Sequence, residues 1–163
     1  MNAAGVLSGL AVTVIAGEIL SPLLAWAIDR QFRNPPVPTS GPLPEEFWRE
    51  MFRRRPGGNY VGRTERLVFY GSFVAGAMPL AIAWLVFKVA NNWQGANTLN
   101  RLPAWLVDDE SKNPEILRAR LFWASRVVVS FLAGTGLNVA IAFAGAGVAY
   151  YLGAPHAVVQ VNV

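Results

Sequence analysis

Residues 127–152 read VVVSFLAGTGLNVAIAFAGAGVAYYL and contain no charged side chain. As an α-helix, 26 residues measure about 39 Å, whereas the hydrocarbon core of a bilayer is about 30 Å thick. An uncharged stretch of this length is typical of a transmembrane helix with room for tilt. The helix is expected to begin earlier, at Pro114, with Asn113 as its N-cap.

Two more apolar stretches lie upstream. In residues 6–28, eleven residues are Leu, Ile or Val and the only charge is Glu18. Those eleven favour insertion by about 5 kcal/mol, whereas a central acidic residue costs roughly 3 kcal/mol, so a span is predicted. A cleaved signal peptide is the alternative, because Ala-Trp-Ala occupies 25–27, but no basic residue lies in the first 29. Residues 67–88 carry no charge before Lys88, and Pro79 near the middle is expected to kink that span.

The composition supports a membrane protein over a soluble one. Of 163 residues, 53% are hydrophobic and 15% are charged, against roughly 25% charged in a typical soluble domain. The net charge of +4 comes with no soluble nucleic-acid-reading module, so nucleic acid is not an expected partner. The absence of Cys excludes disulfides and thiolate chemistry. The sequence therefore predicts one all-α membrane domain over 1–163, with about three transmembrane helices and polar connectors at 29–66 and 89–126.

The first connector contains a short basic segment. Residues 45–55 are predicted to form an amphipathic helix with Trp48 and other apolar side chains on one side. Its opposite side carries Arg49, Arg53, Arg54 and Arg55. Such a helix either lies in the headgroup region on anionic lipid or packs on its own protein as a linker.

The distribution of basic residues predicts an orientation. Eight of the fourteen Lys and Arg residues lie between Arg30 and Arg66. The positive-inside rule then places connector 29–66 in the cytoplasm and the N-terminus outside, with the plasma (inner) membrane as the expected location. With three spans, connector 89–126 is outside and the C-terminus is inside. The expected interfacial anchors are Trp48, Glu65, Arg66, Lys88, Trp93 and Arg126.

Two polar residues are expected at similar depth inside the membrane, Glu18 and Asn138. Pro22 follows Glu18 by four positions, so it cannot donate to the carbonyl of residue 18, and a kink is expected there. A Glu18–Asn138 hydrogen bond is the preferred pairing, with Arg126 as the second candidate partner. Glu18 then either joins helices or handles a proton or cation, because an intramembrane acid is a candidate for both roles.

Small residues at four-residue spacing indicate close helix packing. Gly5 and Gly9 form a GxxxG pair, and Ser72 with Gly76 forms a similar pair. The last span adds further small residues: Gly134, Gly136, Ala140, Ala144, Gly145 and Gly147. The pattern is compatible with packing within the chain or between copies.

Residues 62–150 resemble a family of uncharacterised small bacterial integral membrane proteins. The resemblance lies in three motifs: Gly62-x-x-Glu65-Arg66, Trp84-Leu85-x-x-Lys88-x-Ala90-x-x-Trp93, and Phe131-Leu132-x-Gly134-Thr135-x-x-Asn138. This family has no assigned activity, so the resemblance implies a membrane location and says nothing of catalysis. It also directs attention to Glu65 and Arg66, which are expected to anchor depth or to pair with Arg118 or Arg120.

No catalytic set, metal site or cofactor motif is visible, so a non-enzymatic role is expected. The favoured function is an accessory or structural component of a membrane assembly, with a homo-oligomer or another membrane protein as partner. The alternative is an oligomeric channel or transporter component that uses Glu18 in a polar path.

Overall fold

A computed structural model describes residues 2–38, 46, 58–99 and 113–153. These residues form four helices and no strand: α1 (Ala3–Gln31), α2 (Gly58–Val74), α3 (Met78–Leu99) and α4 (Pro114–Gly153). The predicted all-α class is confirmed. The predicted amphipathic helix at 45–55, with Trp48 and its four arginines, lies outside the described residues apart from Glu46.

The first and last helices begin at asparagine caps. The Asn2 side chain accepts a hydrogen bond from the Gly5 N–H at 2.8 Å. At the start of α4, the Asn113 side chain accepts from the Glu115 N–H at 3.0 Å, which confirms the predicted Asn-Pro start. An N-cap side chain satisfies one of the free N–H groups of the first turn. Helix α1 continues without interruption through Pro22.

Helices α1 and α4 pack antiparallel at very close range. A Cβ added at Gly5 would lie 2.7 Å from the Ala149 carbonyl oxygen, and one added at Gly9 would collide with the Gly145 carbonyl oxygen. At the opposite end of the pair, Arg126 donates to Asp29 at 2.8 Å. The predicted packing through Gly5 and Gly9 is therefore confirmed as a contact within the chain.

The segment predicted as the second span is not one helix. Helix α2 ends at Val74 and α3 begins at Met78. The turn is a Schellman cap, in which the Ala77 N–H donates to the Ser72 carbonyl at 2.8 Å and the Gly76 N–H donates to the Phe73 carbonyl at 3.2 Å. Gly76 has a φ of +68°, which side chains disfavour. Pro79 lies in the first turn of α3, where its missing N–H needs no partner.

The expectation of a single span over 67–88 kinked at Pro79 is therefore wrong, because the chain reverses direction at Gly76. Ser72 and Gly76 do not form a packing pair either. The Ser72 hydroxyl donates to the Val68 carbonyl at 2.7 Å, and Gly76 makes the turn.

Helices α2 and α3 form a hairpin whose tip, at residues 75–77, lies beside the start of α1 and the end of α4. Near the tip, the Tyr70 hydroxyl donates to the Val6 carbonyl and the Tyr150 hydroxyl donates to the Phe73 carbonyl. Further from the tip, Arg63 contacts Glu18, and Lys88 contacts Thr135. Both arms of the hairpin thus point toward the end of α1 and the start of α4. The start of α2 and the end of α3 therefore lie at the same end of the hairpin, and the sides of the membrane predicted for the two connectors stay a prediction.

The apolar core lies between the hairpin tip and α4. Its buried members are Phe69, Tyr70, Ala81, Ala142, Ala146 and Ala149. Small alanines on α4 allow the aromatic rings of α2 to lie against the helix. A smaller cluster forms at the other end, where Ile116 and Ala119 pack with Val37, Phe122 and Trp123.

Two of the described helices, α1 and α4, are long and apolar enough to cross a membrane. Their most apolar windows have mean hydropathies of 1.9 and 2.0, and only 22% of each window is buried inside the protein. The central helix of a soluble protein would be mostly buried, so the exposure of these apolar windows favours lipid as their surroundings. The apolar part of α3, Met78–Ala90, is shorter. The expected count of three transmembrane helices is not confirmed.

Candidate functional site

Polar and charged side chains from all four helices meet at one level of the bundle. We refer to this set as the polar layer. Its members are Glu18 and Ser21 of α1, Arg63, Glu65 and Arg66 of α2, Lys88 of α3, and Thr135 and Asn138 of α4.

Arg66 lies at the centre of the layer and is 4% exposed. Its Nη1 donates to Ser21 Oγ at 2.8 Å and to Asn138 Oδ1 at 3.1 Å, and its Nη2 donates to Glu18 Oε1 at 3.2 Å. One guanidinium therefore joins α1, α2 and α4. The fixed fork of donors on arginine suits such a three-way contact better than a lysine would.

The predicted direct hydrogen bond between Glu18 and Asn138 is wrong, because Arg66 lies between the two side chains and pairs with both. The two residues do belong to one hydrogen-bonded network, as their common depth suggested. Arg126, the second candidate partner for Glu18, pairs with Asp29 instead.

Gly17 makes room for Arg66 on α1. A Cβ added at Gly17 would collide with Nε and Cζ of Arg66 and would lie 2.7 Å from its Cδ. Gly5, Gly9, Thr13 and Gly17 recur every four residues, and all four are buried. Gly5 and Gly9 were predicted to pack closely but Gly17 was not, although this four-residue repeat was the available signal.

Glu65 is the most buried charged residue of the layer, at 1% exposure. Its Oε2 accepts from Asn138 Nδ2 at 2.8 Å, and its Oε1 forms an ion pair with Lys88 Nζ. Lys88 also donates to Thr135 Oγ1 at 2.5 Å and lies 5.0 Å from the centre of the Phe131 ring. The motif residues Glu65, Lys88, Thr135 and Asn138 thus come together in space.

The predicted pairing of Glu65 and Arg66 with Arg118 or Arg120 is wrong, since both residues are buried against other partners. Lys88 likewise points into the bundle, at 19% side-chain exposure. Trp93 lies on α3, but its side chain is outside the described part of the chain.

The outer edge of the layer is an ion pair between Arg63 and Glu18. Arg63 donates from Nε to Glu18 Oε1 at 2.8 Å and from Nη2 to Oε2 at 2.6 Å. The side chains are 53% and 44% exposed, respectively. They border a cavity of about 390 Å³, together with Val14, Arg66 and Leu67. Sequence reasoning missed Arg63, although its three-residue spacing from Arg66 places both on one side of α2.

The carboxylates of the layer are neutralised by its arginine and lysine side chains. Each carboxylate is paired with at least one cation, and within the layer the three cations exceed the two carboxylates by one positive charge. In the described ranges, no group of three or more His, Cys, Asp or Glu side chains is placed to hold a metal ion. A network of this kind fastens the hairpin to α1 and α4, because each pair joins residues of different helices.

The layer also runs across the bundle rather than along it. On the side of the hairpin tip, the apolar core around Phe69 and Ala142 fills the space between the helices.

Comparisons with protein-family models, curated proteins and solved structures found no match to this chain. The family resemblance drawn from the three motifs stays a prediction.

Proposed function

We propose that this chain is a two-span integral membrane protein that serves as a non-enzymatic structural or accessory component of a membrane assembly. In this proposal α1 and α4 cross the bilayer, and the α2–α3 hairpin inserts beside them from one side. The observation that carries it is the polar layer, in which charged groups of α1, α2 and α3 pair with one another and with polar side chains of α4.

The distribution of basic residues supports this topology. All fourteen Lys and Arg residues lie between Arg30 and Arg126, and none precedes or follows that range. With two spans, both connectors lie on the same side of the membrane. Every basic residue then lies near that side or in the hairpin. The positive-inside rule then places both connectors in the cytoplasm and both termini outside. This revises the expectation of an internal C-terminus. Arg49, Arg53, Arg54 and Arg55 would face anionic lipid on the cytoplasmic side.

The depth of the layer supports a structural role. Glu18 lies 15 residues from Ala3 and 13 from Gln31, which is about 20 Å from either end of α1. At that depth an uncompensated charge is expensive, and ionisable side chains pair with one another or face water. Removal of one member of a buried pair strongly destabilises a protein. Any other position of the hairpin would break these pairs, so the layer fixes where the hairpin packs.

A second candidate is a channel or transporter component. It is favoured by the half-exposed Glu18–Arg63 pair beside the cavity, since an accessible carboxylate could take part in ion movement. Arg63 and Arg66 would then need to release Glu18 during each cycle.

Reconstitution into liposomes distinguishes the two candidates. We expect proton and cation fluxes equal to those of protein-free liposomes, both for the wild-type chain and for Glu18→Gln. The matched control is Glu46→Gln, which changes an exposed carboxylate that is not a member of the layer. A flux above that of empty liposomes that Glu18→Gln abolishes and Glu46→Gln preserves would refute the structural role and support transport.

A further inference from the structure

We infer that two copies of this chain associate in the membrane through a face centred on the Glu18–Arg63 pair. This face comprises Val14 and Glu18 of α1 with Arg63 and Leu67 of α2, all of them exposed. We call it the Glu18–Arg63 face. The inference rests on the proposed membrane location and adds the partner and the surface.

The ion pair requires a further hydrogen-bonding partner, because one of its donors is not satisfied within the described part of the chain. Arg63 uses Nε and Nη2 to bind Glu18, and its Nη1 has no partner among the described residues. At the mid-depth of α1 these atoms would face hydrocarbon. No water is present there to accept a hydrogen bond, so each unsatisfied polar group is costly.

The charges of the face determine what can cover it. A free cation would be repelled by Arg63 and Arg66, whereas the excess positive charge of the layer favours an acidic partner. A small free anion would have to leave water and enter the hydrocarbon without a counter-ion, which is costly. A lipid headgroup would have to move about 15 Å from the interface into the hydrocarbon to reach it. The suitable occupant is therefore a protein surface that itself carries one acid beside one arginine.

A second copy of the chain supplies that surface. Under two-fold symmetry the same patch is used by both copies, so Arg63 would approach the partner's Glu18 and Glu18 would approach the partner's Arg63. The four charges then alternate in sign, and the free Nη1 donors of each copy gain a carboxylate. Val14 and Leu67, one helical turn from the charges, form an apolar border around them.

Disulfide cross-linking in membranes tests the face directly, because the chain has no cysteine of its own. The test variants are Val14→Cys and Leu67→Cys. The matched controls are Ile82→Cys on α3 and Leu132→Cys on α4, whose side chains are also exposed but lie on other faces. We expect oxidation in native membranes to give a dimer band for at least one test variant and for neither control, since a disulfide requires Cα atoms within about 7 Å.

Two further substitutions test the charges and the shape. Arg63→Ala leaves Glu18 paired with Arg66, and we expect the dissociation constant, measured by energy transfer between labelled copies in vesicles, to rise about three- to tenfold. Leu67→Trp should weaken association by its bulk, whereas Ile82→Trp should not. Equal cross-linking at all four positions, or association unaffected by both Arg63→Ala and Leu67→Trp, would overturn the inference.

Extraction with alkaline carbonate separates this inference from the proposed function. A chain that stays in the membrane pellet but remains monomeric refutes only the dimer. A chain released into the supernatant refutes the membrane location as well. A cross-link from the test cysteines to a different protein would also overturn association between copies.

Discussion

Replacement of Arg66 by methionine should destabilise the protein far more than the same replacement of Arg63. Arg66 is buried and has three partners on two other helices, Ser21, Glu18 and Asn138. Arg66→Met leaves the Asn138 and Ser21 oxygens without this donor, at about 1–3 kcal/mol for each group left unsatisfied. Glu18 keeps Arg63, which limits the additional loss. The expected total is about 3–5 kcal/mol, the range seen when one partner of a buried ion pair is removed.

Arg63→Met is the matched control, since it removes an arginine from the same helix while Glu18 retains Arg66. Because Glu18 keeps Arg66 as its counter-charge, we expect a clearly smaller loss than for Arg66→Met. The measurement is the free energy of unfolding in mixed micelles as sodium dodecyl sulfate is titrated, at a protein concentration that keeps both variants monomeric. Equal losses for the two variants would refute the assignment of Arg66 as the centre of the layer.

Three further experiments probe the fold in the same assay. Gly17→Ala should destabilise by about 1–3 kcal/mol because the added methyl group displaces Arg66, whereas Gly136→Ala, which has open space around it, should change stability little. A double-mutant cycle with Glu65→Gln and Lys88→Met should give a coupling energy of about 1 kcal/mol or more, and additive losses would contradict their ion pair. Gly76→Ala should cost about 1 kcal/mol, since its φ of +68° disfavours a side chain, and an unchanged stability would contradict the turn.

The outer helices were predictable because their signals are local. Asn2 and Asn113 cap them, and the two helices include the whole of the predicted spans 6–28 and 127–152. The hairpin was not predicted, although its local signal was present. Gly76 followed three residues later by Pro79 is the pattern of one helix ending and another beginning. The uncharged length of 67–87 suggested a span and outweighed that pattern.

The candidate site was predicted only in part. A polar residue within an apolar stretch is visible in sequence, so Glu18 and Asn138 were identified. Their partners were not, because Arg66 lies 48 residues from Glu18 and 72 from Asn138 along the chain. Pairing over such separations depends on how α2 packs against α1 and α4. The role of Gly17 depends on the same packing. A glycine is required there because the Arg66 side chain lies against it, and that contact cannot be read from the sequence.

The most direct test of this account is the side of the membrane on which each connector lies. Single cysteines at Ala3, Arg33 and Glu115 would be labelled in intact cells and in inverted vesicles with a maleimide that does not cross the bilayer. These positions are exposed and lie at the start of α1, after its end and at the start of α4. The account predicts that Arg33→Cys and Glu115→Cys react from the same, cytoplasmic side and that Ala3→Cys reacts from the other. Labelling of Arg33→Cys and Glu115→Cys from opposite sides would contradict the inserted hairpin.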